Sequence, residues 1–245
     1  MTTNKMQHFD IASLLRFMPP QVACERCCAL LPHLDGICPV CGVEYILTEE
    51  FPTYTDYFRQ RGLTIQFHDL IEHSQRLARI ARQIRESNGG QTSSSYPPMR
   101  ALLTALHSAE RFVHFTTYGM SALLLGALKL TAQRVDVRGI VSGVKSDIMM
   151  REMTDYQDEA PHLHLRAFSG EETYFPHQKI IVIDGLMAFK GSANMTDIGW
   201  RKAARGQEII EVVTDVAEVV ELNNRFFSPA WAGDHAGERI LMTAY

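Results

Sequence analysis

The segment PHQKIIVIDGLMAFKGSANMTDIGW, residues 176–200, decides the fold that this 245-residue sequence predicts. Its part QKIIVID (178–184) is typical of a buried strand, and Asp184-Gly185 is a hairpin turn signal. Residues 187–191 return as a second strand and lead into Gly-Ser-Ala-Asn at 191–194. The segment therefore predicts a β-hairpin with polar side chains at its open end.

Four polar side chains meet at that open end. His177 and Lys179 lie on the same face of the first strand, because side chains alternate along a strand. The returning strand places Ser192 and Asn194 beside them. An ammonium supplies charge, and a hydroxyl and a carboxamide supply hydrogen-bond donors, so that together they can hold a phosphate. The imidazole is then left as a nucleophile or an acid–base catalyst.

Strand and helix patterns alternate through most of the chain around this hairpin. Further strands are predicted at 111–117, 134–142, 163–168 and 208–214, and helices at 98–109, 120–132, 145–158 and 216–227. Such alternation predicts an α/β fold in which helices sandwich a mixed β-sheet. An earlier helix at 62–86 and a Gly-, Ser- and Pro-rich linker at 88–98 precede it.

All five cysteines lie between residues 24 and 41. Cys24 and Cys27 form one C-x2-C pair and Cys38 and Cys41 form another, so four thiolates can converge as a tetrahedron around a structural zinc ion. Cys28 is left over, either as a small packed side chain or as a ligand in place of Cys27. A redox dithiol would need only one pair. The segment resembles a zinc ribbon, whose closed site contributes folding free energy and no chemistry.

The motif hairpin resembles a known superfamily. The spacing H-x-K-x4-D-x6-G-S-x-N matches the signature of the phospholipase D superfamily at every fixed position, through His177, Lys179, Asp184, Gly191, Ser192 and Asn194. Residues 95–230 also follow the family order of elements, and Glu208 resembles the family acid that orients the catalytic histidine. The resemblance implies a phospholipase D-like catalytic domain and does not extend to residues 1–90.

The resemblance also implies a covalent mechanism. His177 would attack phosphorus and form a phosphohistidine, while Lys179 and Asn194, assisted by Ser192, would hold the non-bridging oxygens. Asp184 would have an orienting or structural role at the hairpin turn. No catalytic metal is expected, because the lysine and the hydrogen-bond donors neutralise the developing charge.

The chain contains one copy of the motif, since no other histidine is followed by a lysine two residues later. The family mechanism needs a second histidine, which protonates the leaving oxygen and then activates water. The resemblance therefore implies a symmetric homodimer in which two His177 side chains share one site. Single-copy members of the superfamily are mostly nucleases, whereas lipid-transforming members usually carry two copies, so the substrate is expected to be DNA or RNA.

Composition adds few constraints on partners. The net charge of −4 gives no global sign of a polyanion partner, so a nucleic-acid enzyme needs a local basic surface here. Residues 59–99 hold six arginines against three acidic residues, which a solvated helix face explains about as well as a phosphate-binding surface. The sequence shows no signal-peptide pattern and no apolar stretch long enough for a bilayer, so a cytoplasmic protein without membrane association is expected.

Three parts are predicted: a zinc-ribbon-like module (1–58), a helical connector and linker (59–94) and a phospholipase D-like catalytic domain (95–245). The predicted function is that of a metal-independent nuclease. By analogy of architecture, such a protein suits bacterial phage defence or restriction, together with partner proteins. The alternatives are a phospholipase or phosphatidyl transferase, and a non-catalytic subunit that binds nucleic acid.

Overall fold

The computed structural model describes residues 20–89, 97–144, 146–167, 177–233 and 239–242. The start of the predicted zinc module and most of the predicted linker at 88–98 lie outside these ranges.

The described residues form strands and helices that are numbered here in chain order. The strands are β1 (Gln21–Ala23), β2 (Leu30–Leu31), β3 (Glu44–Ile46), β4 (Thr64–Ile65), β5 (Phe112–Thr117), β6 (Asp136–Val141), β7 (Leu163–Ala167), β8 (Lys179–Ile183), β9 (Met187–Gly191), β10 (Ile210–Val213) and β11 (Arg239–Leu241). The helices are α1 (Tyr54–Gln60), α2 (Ile71–Gly89), α3 (Pro98–Ser108), α4 (Ala122–Thr131), α5 (Asp147–Glu159), α6 (Asp197–Ala203), α7 (Val216–Leu222) and α8 (Ser228–Ala232). A 3-10 turn (Phe67–Leu70) precedes α2, and a π-helical turn (Asn223–Phe227) joins α7 to α8.

The central sheet has six strands in the order β10-β9-β8-β5-β6-β7. β5, β6 and β7 run parallel and are connected through α4 and α5, whereas β8, β9 and β10 are each antiparallel to their neighbours. All six residues of β5 are buried, as expected for a strand that is covered on both faces. The predicted α/β sandwich with a mixed sheet is therefore confirmed.

The helices next to the sheet contact one another in a continuous row. α3 packs against α2 and α6, and α4 packs between α3 and α5. α7 contacts β8, β9 and β10, and the π-helical turn contacts β5. The π-helical turn covers the face of β5 that carries His114, whose Nδ1 lies 2.8 Å from Asn223 Oδ1. Among the residues described, no helix has both the length and the apolar character needed to cross a membrane.

The N-terminal residues pack onto the end of the sheet where β8 turns into β9. Leu30 and Phe67 lie within contact distance of the turn residue Gly185, and both belong to the same buried core as the central strands. The side chain of Asn224 donates to the backbone oxygen of Leu30 (2.7 Å) and accepts from its backbone N–H (2.8 Å). Contacts thus cross the boundaries predicted at 58/59 and 94/95, and the three-part division stays a prediction.

Two predicted helices differ from the observed elements. The predicted helix at 62–86 begins later, because Ile65 pairs with Gln21 of β1 and this strand pairing outweighs the local helical pattern. The predicted helix at 216–227 is interrupted by the π-helical turn. This turn places Asn223 and Asn224 against the N-terminal residues, where Asn223 Nδ2 donates to Cys28 O at 3.0 Å.

Candidate active site and cysteine cluster

The motif residues gather at one edge of the central sheet, which we call the motif edge. It is the edge where β5 ends at Thr117, β8 begins at Lys179 and β9 ends at Gly191. The strand register places Lys179 and Ile210 on either side of Gly191. The opposite edge, where β8 turns into β9 at Asp184 and Gly185, is called the far edge.

His177 and Lys179 converge as the strand alternation predicts. Lys179 Nζ lies 2.9 Å from His177 Nδ1 and donates to the backbone oxygen of His177 at 2.7 Å. Because an ammonium can only donate, Nδ1 is the acceptor and the neutral imidazole then has its proton on Nε2. His177 is exposed, with its ring centroid 5.6 Å from that of Tyr118. Partial burial lowers the pKa of Lys179, and the negative charge of Glu208 opposes this shift.

Ser192 and Glu208 form the second part of the site. The Ser192 hydroxyl donates to a carboxylate oxygen of Glu208 and accepts from the backbone N–H of Ile209 at 2.9 Å. The backbone N–H of Ser192 donates to Ile209 O at 3.0 Å. These bonds hold the Glu208 carboxylate in the region where its charge acts on Lys179 and opposes the lowering of the lysine pKa by burial. The sequence-predicted acid is therefore at the motif edge, although its hydrogen bond is to Ser192.

The glycine of the motif is explained by a close approach of two backbones. A Cβ atom on Gly191 would lie 2.0 Å from the carbonyl oxygen of Ile209. No side chain fits there without separating the end of β9 from the start of β10. The glycine therefore allows Ser192 and Glu208 to come within hydrogen-bond distance of each other.

Asn194 lies in the loop after β9, and the end of β5 holds this loop. Asn194 Oδ1 accepts from the backbone N–H of Tyr118 at 3.3 Å. The buried Thr117 hydroxyl accepts from Met195 N and donates to Gly119 O, both at 2.9 Å. The carboxamide oxygen of Asn194 accepts the hydrogen bond from Tyr118. The amide nitrogen is the donor of this side chain and can bind an anion.

Asp184 is not brought to the motif edge. It follows β8 directly at the far edge, about 16 Å from Lys179 at 3.3 Å per strand residue. Its fully buried carboxylate accepts from the backbone N–H groups of Glu110, Arg111 and Phe112 at 2.8–2.9 Å. The buried His73 Nε2 lies 2.7 Å from the same carboxylate. Of the two roles that the resemblance implied for Asp184, these contacts support the structural one.

The sequence did not predict the contacts that three residues make in this arrangement. Thr117 ends the buried strand β5, Tyr118 follows it, and both hydrogen-bond to the motif loop. His73 of α2 lies against Asp184. Polar residues at the end of a buried strand are a usable signal, since strand ends meet at one edge of a sheet. His73 offered no such signal, because its partner is remote in sequence.

The cysteine cluster has the geometry of a closed metal site. The Sγ atoms of Cys24, Cys27, Cys38 and Cys41 all lie within 4.8 Å of one another. Two of the separations are 3.8 Å (Cys24–Cys41) and 3.7 Å (Cys27–Cys38). A tetrahedron with Zn–S bonds of 2.3 Å has edges of about 3.8 Å, so the four thiolates fit a structural metal ion of this size.

Cys28 lies outside this cluster. Its buried Sγ lies 3.0 Å from Arg138 Nη1, and burial raises the pKa of its thiol to about 12. Cys27 belongs to the cluster and Cys28 does not, so the geometry favours Cys27 of the two candidates that the sequence left open.

Comparison with protein families matches residues 102–231 to the family described as cardiolipin synthase, PLD-like domain. This match spans more than half of the chain and contains all six motif positions together with Glu208. The protein belongs to this phospholipase D-like family, which confirms the resemblance on which the sequence prediction depended.

Solved structures that are similar to the chain include NucT, Nuc and TrmBL2. NucT from Helicobacter pylori is 20% identical with a TM-score of 0.41, and the match covers 51% of this chain and 81% of NucT. Nuc from Salmonella typhimurium, a phospholipase D family member, is 23% identical with a TM-score of 0.42 and coverages of 53% and 83%. TrmBL2, an archaeal chromatin protein, is 16% identical with a TM-score of 0.38 and coverages of 61% and 51%. Comparison with curated protein sequences gave no match.

Proposed function

We propose that the protein is a nuclease that hydrolyses phosphodiesters through a covalent phosphohistidine at His177, without a catalytic metal. The observation that carries this proposal is the contact between His177 and Lys179 at the motif edge, 2.9 Å apart and beside Ser192, Asn194 and Glu208. Lys179 supplies the charge and the Asn194 amide a donor for the phosphate oxygens. Glu208 positions Ser192 and opposes the loss of charge on Lys179.

The hydrogen bond between Lys179 and His177 Nδ1 determines when His177 becomes a nucleophile. With Nδ1 accepting from the ammonium, Nε2 of His177 has a proton and is a donor rather than a nucleophile. A phosphate that takes over the hydrogen bonds of Lys179 frees Nδ1 and allows the tautomer with an unprotonated Nε2. Substrate binding would therefore activate the nucleophile.

Each turnover then needs two histidines. Nε2 of His177 forms a bond to phosphorus as the bond to the leaving oxygen breaks, and that oxygen takes a proton from the partner subunit's His177. Water next attacks phosphorus, the N–P bond breaks, and the water proton returns to the partner subunit's His177. We therefore propose a homodimer with one shared site, because this chain supplies one such histidine.

Exposed apolar side chains around the motif edge support this dimer. Tyr118, Leu123, Ile148, Ile198 and Ile209 are all exposed, and each lies at the motif-edge end of a strand or in the first turn of a helix that starts there. A rim of apolar groups is typical of a surface that another protein covers. A second copy of the chain, placed with its motif edge against the first, would cover this rim.

The proposal has three further parts. The metal in the cysteine cluster is zinc, which prefers four thiolates in a tetrahedron. The substrate is DNA or RNA, because a single motif copy is typical of the nucleases in the superfamily. The protein acts in the cytoplasm in phage defence or restriction with partner proteins, and phage plating on cells with wild-type or His177→Ala protein tests this last part.

Replacing His177 by alanine should lower cleavage of labelled DNA or RNA at least about 100-fold, because the nucleophile is lost. Cleavage is measured on single and double strands without added metal. His162→Ala is the matched control, since His162 is exposed and outside the motif. Mass spectrometry of quenched wild-type enzyme should show the covalent adduct, and His177→Ala should show none.

Other outcomes distinguish the alternative functions. Equal cleavage by wild type and His177→Ala would overturn the histidine mechanism. Hydrolysis of phosphatidylcholine vesicles without nucleic-acid cleavage would indicate the phospholipase. Binding of nucleic acid without any cleavage would indicate a non-catalytic subunit.

Ile209→Asp should weaken the proposed dimer about 100-fold, because it removes apolar contact and brings two like charges together across the symmetry axis. Ile209 is 70% exposed, so the monomer tolerates the change. Leu130→Asp is the matched control: Leu130 is 73% exposed but lies near the end of α4 that points away from the motif edge. Analytical ultracentrifugation measures both, and a dimer that survives Ile209→Asp unchanged would contradict the proposed interface.

A further inference from the structure

A groove opens between α3 and α6, close to the motif edge. Its volume is about 470 Å³. α6 begins three residues after Asn194, so its first turn adjoins the motif loop and its last turn leads away from the site. The groove lies along that last turn and the start of α3. A ligand in it would therefore lie within one to two helical turns of the site.

The lining combines arginines with an apolar floor. Arg100, Arg201 and Arg205 are exposed at its rim, and Met99, Leu103 and Trp200 line it with apolar groups. Every charged side chain among the described residues that line the groove is an arginine. Asp197, which lies 3.7 Å from Arg201, is not part of the lining. In a chain of net charge −4, this groove is a local concentration of positive charge.

Single-stranded nucleic acid matches this combination. Proteins that bind single strands use a positively charged groove for the backbone and apolar or aromatic groups for the bases. Arginine forms bidentate hydrogen bonds with phosphate, and its guanidinium also stacks on bases. A groove of about 470 Å³ can hold about one or two nucleotides.

We propose that this groove binds a single strand of the substrate next to the scissile phosphodiester, with the backbone phosphates on Arg201 and Arg205 and the bases against Met99 and Leu103. This inference rests on the proposed nuclease function, because it assigns the segment of substrate that lies beyond the motif edge. It makes the protein a nuclease that prefers single-stranded or locally unpaired nucleic acid.

The test is the binding of a fluorescein-labelled single strand of about 15 nucleotides, as DNA and as RNA. All proteins contain His177→Ala, so that cleavage does not interfere. Arg201→Gln combined with Arg205→Gln should raise Kd about tenfold, and the slope of log Kd against log salt should fall by about 1.4 for two lost phosphate contacts. Arg151→Gln is the matched control, because Arg151 is exposed on α5 and does not line the groove.

The outcomes separate this inference from the proposed function. An unchanged Kd and salt slope in the double variant, or an equal change in Arg151→Gln, would contradict the proposed binding of nucleic acid in the groove. Equal losses of affinity for a duplex and for a single strand would overturn the single-strand preference. If wild type cleaves no nucleic acid while binding still depends on Arg201 and Arg205, the nuclease function fails and the groove stands as a binding site.

Discussion

Chelation of the proposed zinc ion should lower the thermal midpoint of unfolding by roughly 20 °C or more. Structural zinc contributes about 10 kcal/mol or more to folding, and each kcal/mol is worth about 2–4 °C in a chain of this size. The cluster residues Cys24, Cys27 and Cys38 are almost fully buried in a small core of their own, which the metal ion would hold together. Circular dichroism with and without EDTA measures the effect, and zinc should restore the original midpoint.

The loss of structure on chelation should extend beyond the cysteine cluster. Cys28 and Leu30, close to the ligands in sequence, hydrogen-bond with Asn223 and Asn224 of the π-helical turn. Cleavage should therefore decline with the same time course as the structure, rather than at the moment EDTA is added. An immediate loss of cleavage with the fold intact would indicate a catalytic metal and contradict the proposed mechanism.

Two cysteine variants provide the matched comparison. Cys38→Ser removes a ligand and should purify with little zinc and a lowered midpoint. Cys28→Ser changes a buried cysteine outside the cluster and should retain the zinc of the wild type. A Cys28→Ser protein that loses its zinc would show that Cys28 is a ligand after all.

Replacing Asp184 by alanine should lower the free energy of unfolding by about 5 kcal/mol. The change leaves the backbone N–H groups of Glu110, Arg111 and Phe112 without their acceptor, and it also removes the carboxylate that lies 2.7 Å from His73 Nε2. Urea unfolding of the zinc-loaded protein measures the loss. Asp155→Ala, an exposed aspartate on α5, should change the stability by less than about 0.5 kcal/mol.

Asp184→Asn separates a structural role from a catalytic one. The carboxamide oxygen can still accept from two of the three backbone donors, so a larger folded fraction should remain. Because Asp184 lies at the far edge, the cleavage rate of the folded Asn variant should stay within about threefold of wild type. A loss of cleavage comparable to that of His177→Ala would place Asp184 in the catalytic machinery.

These two predictions concern the same end of the molecule. Asp184 and the N-terminal residues stabilise the far edge, whereas His177 and Lys179 lie at the motif edge. The proposed chemistry and the stabilising contacts thus lie at opposite ends of one strand, β8, which has Lys179 at its start and Asp184 directly after its end. Variants at the far edge are therefore expected to act on activity through folding.

The sequence by itself determined the hairpin, the convergence of His177 with Lys179, and the cysteine cluster. These features depend on local rules, namely alternation along a strand, the Asp184-Gly185 turn signal and the C-x2-C spacing. The alternation of strands and helices also determined the mixed sheet. Each of these patterns is visible in the order of residues along the chain, so no knowledge of distant contacts was needed.

Only the tertiary structure decided which distant residues meet. The Thr117 hydroxyl accepts a hydrogen bond from the backbone N–H of Met195, and His73 lies against Asp184. The two residues of each pair are far apart in the chain. Cys28 contacts Arg138 and lies outside the cysteine cluster, and the arginines of the groove come from α3 and from α6 and the residues that follow it. The physical reason is that such contacts depend on how helices and strands pack across the sheet, which leaves no periodic trace in the sequence around any one of the residues.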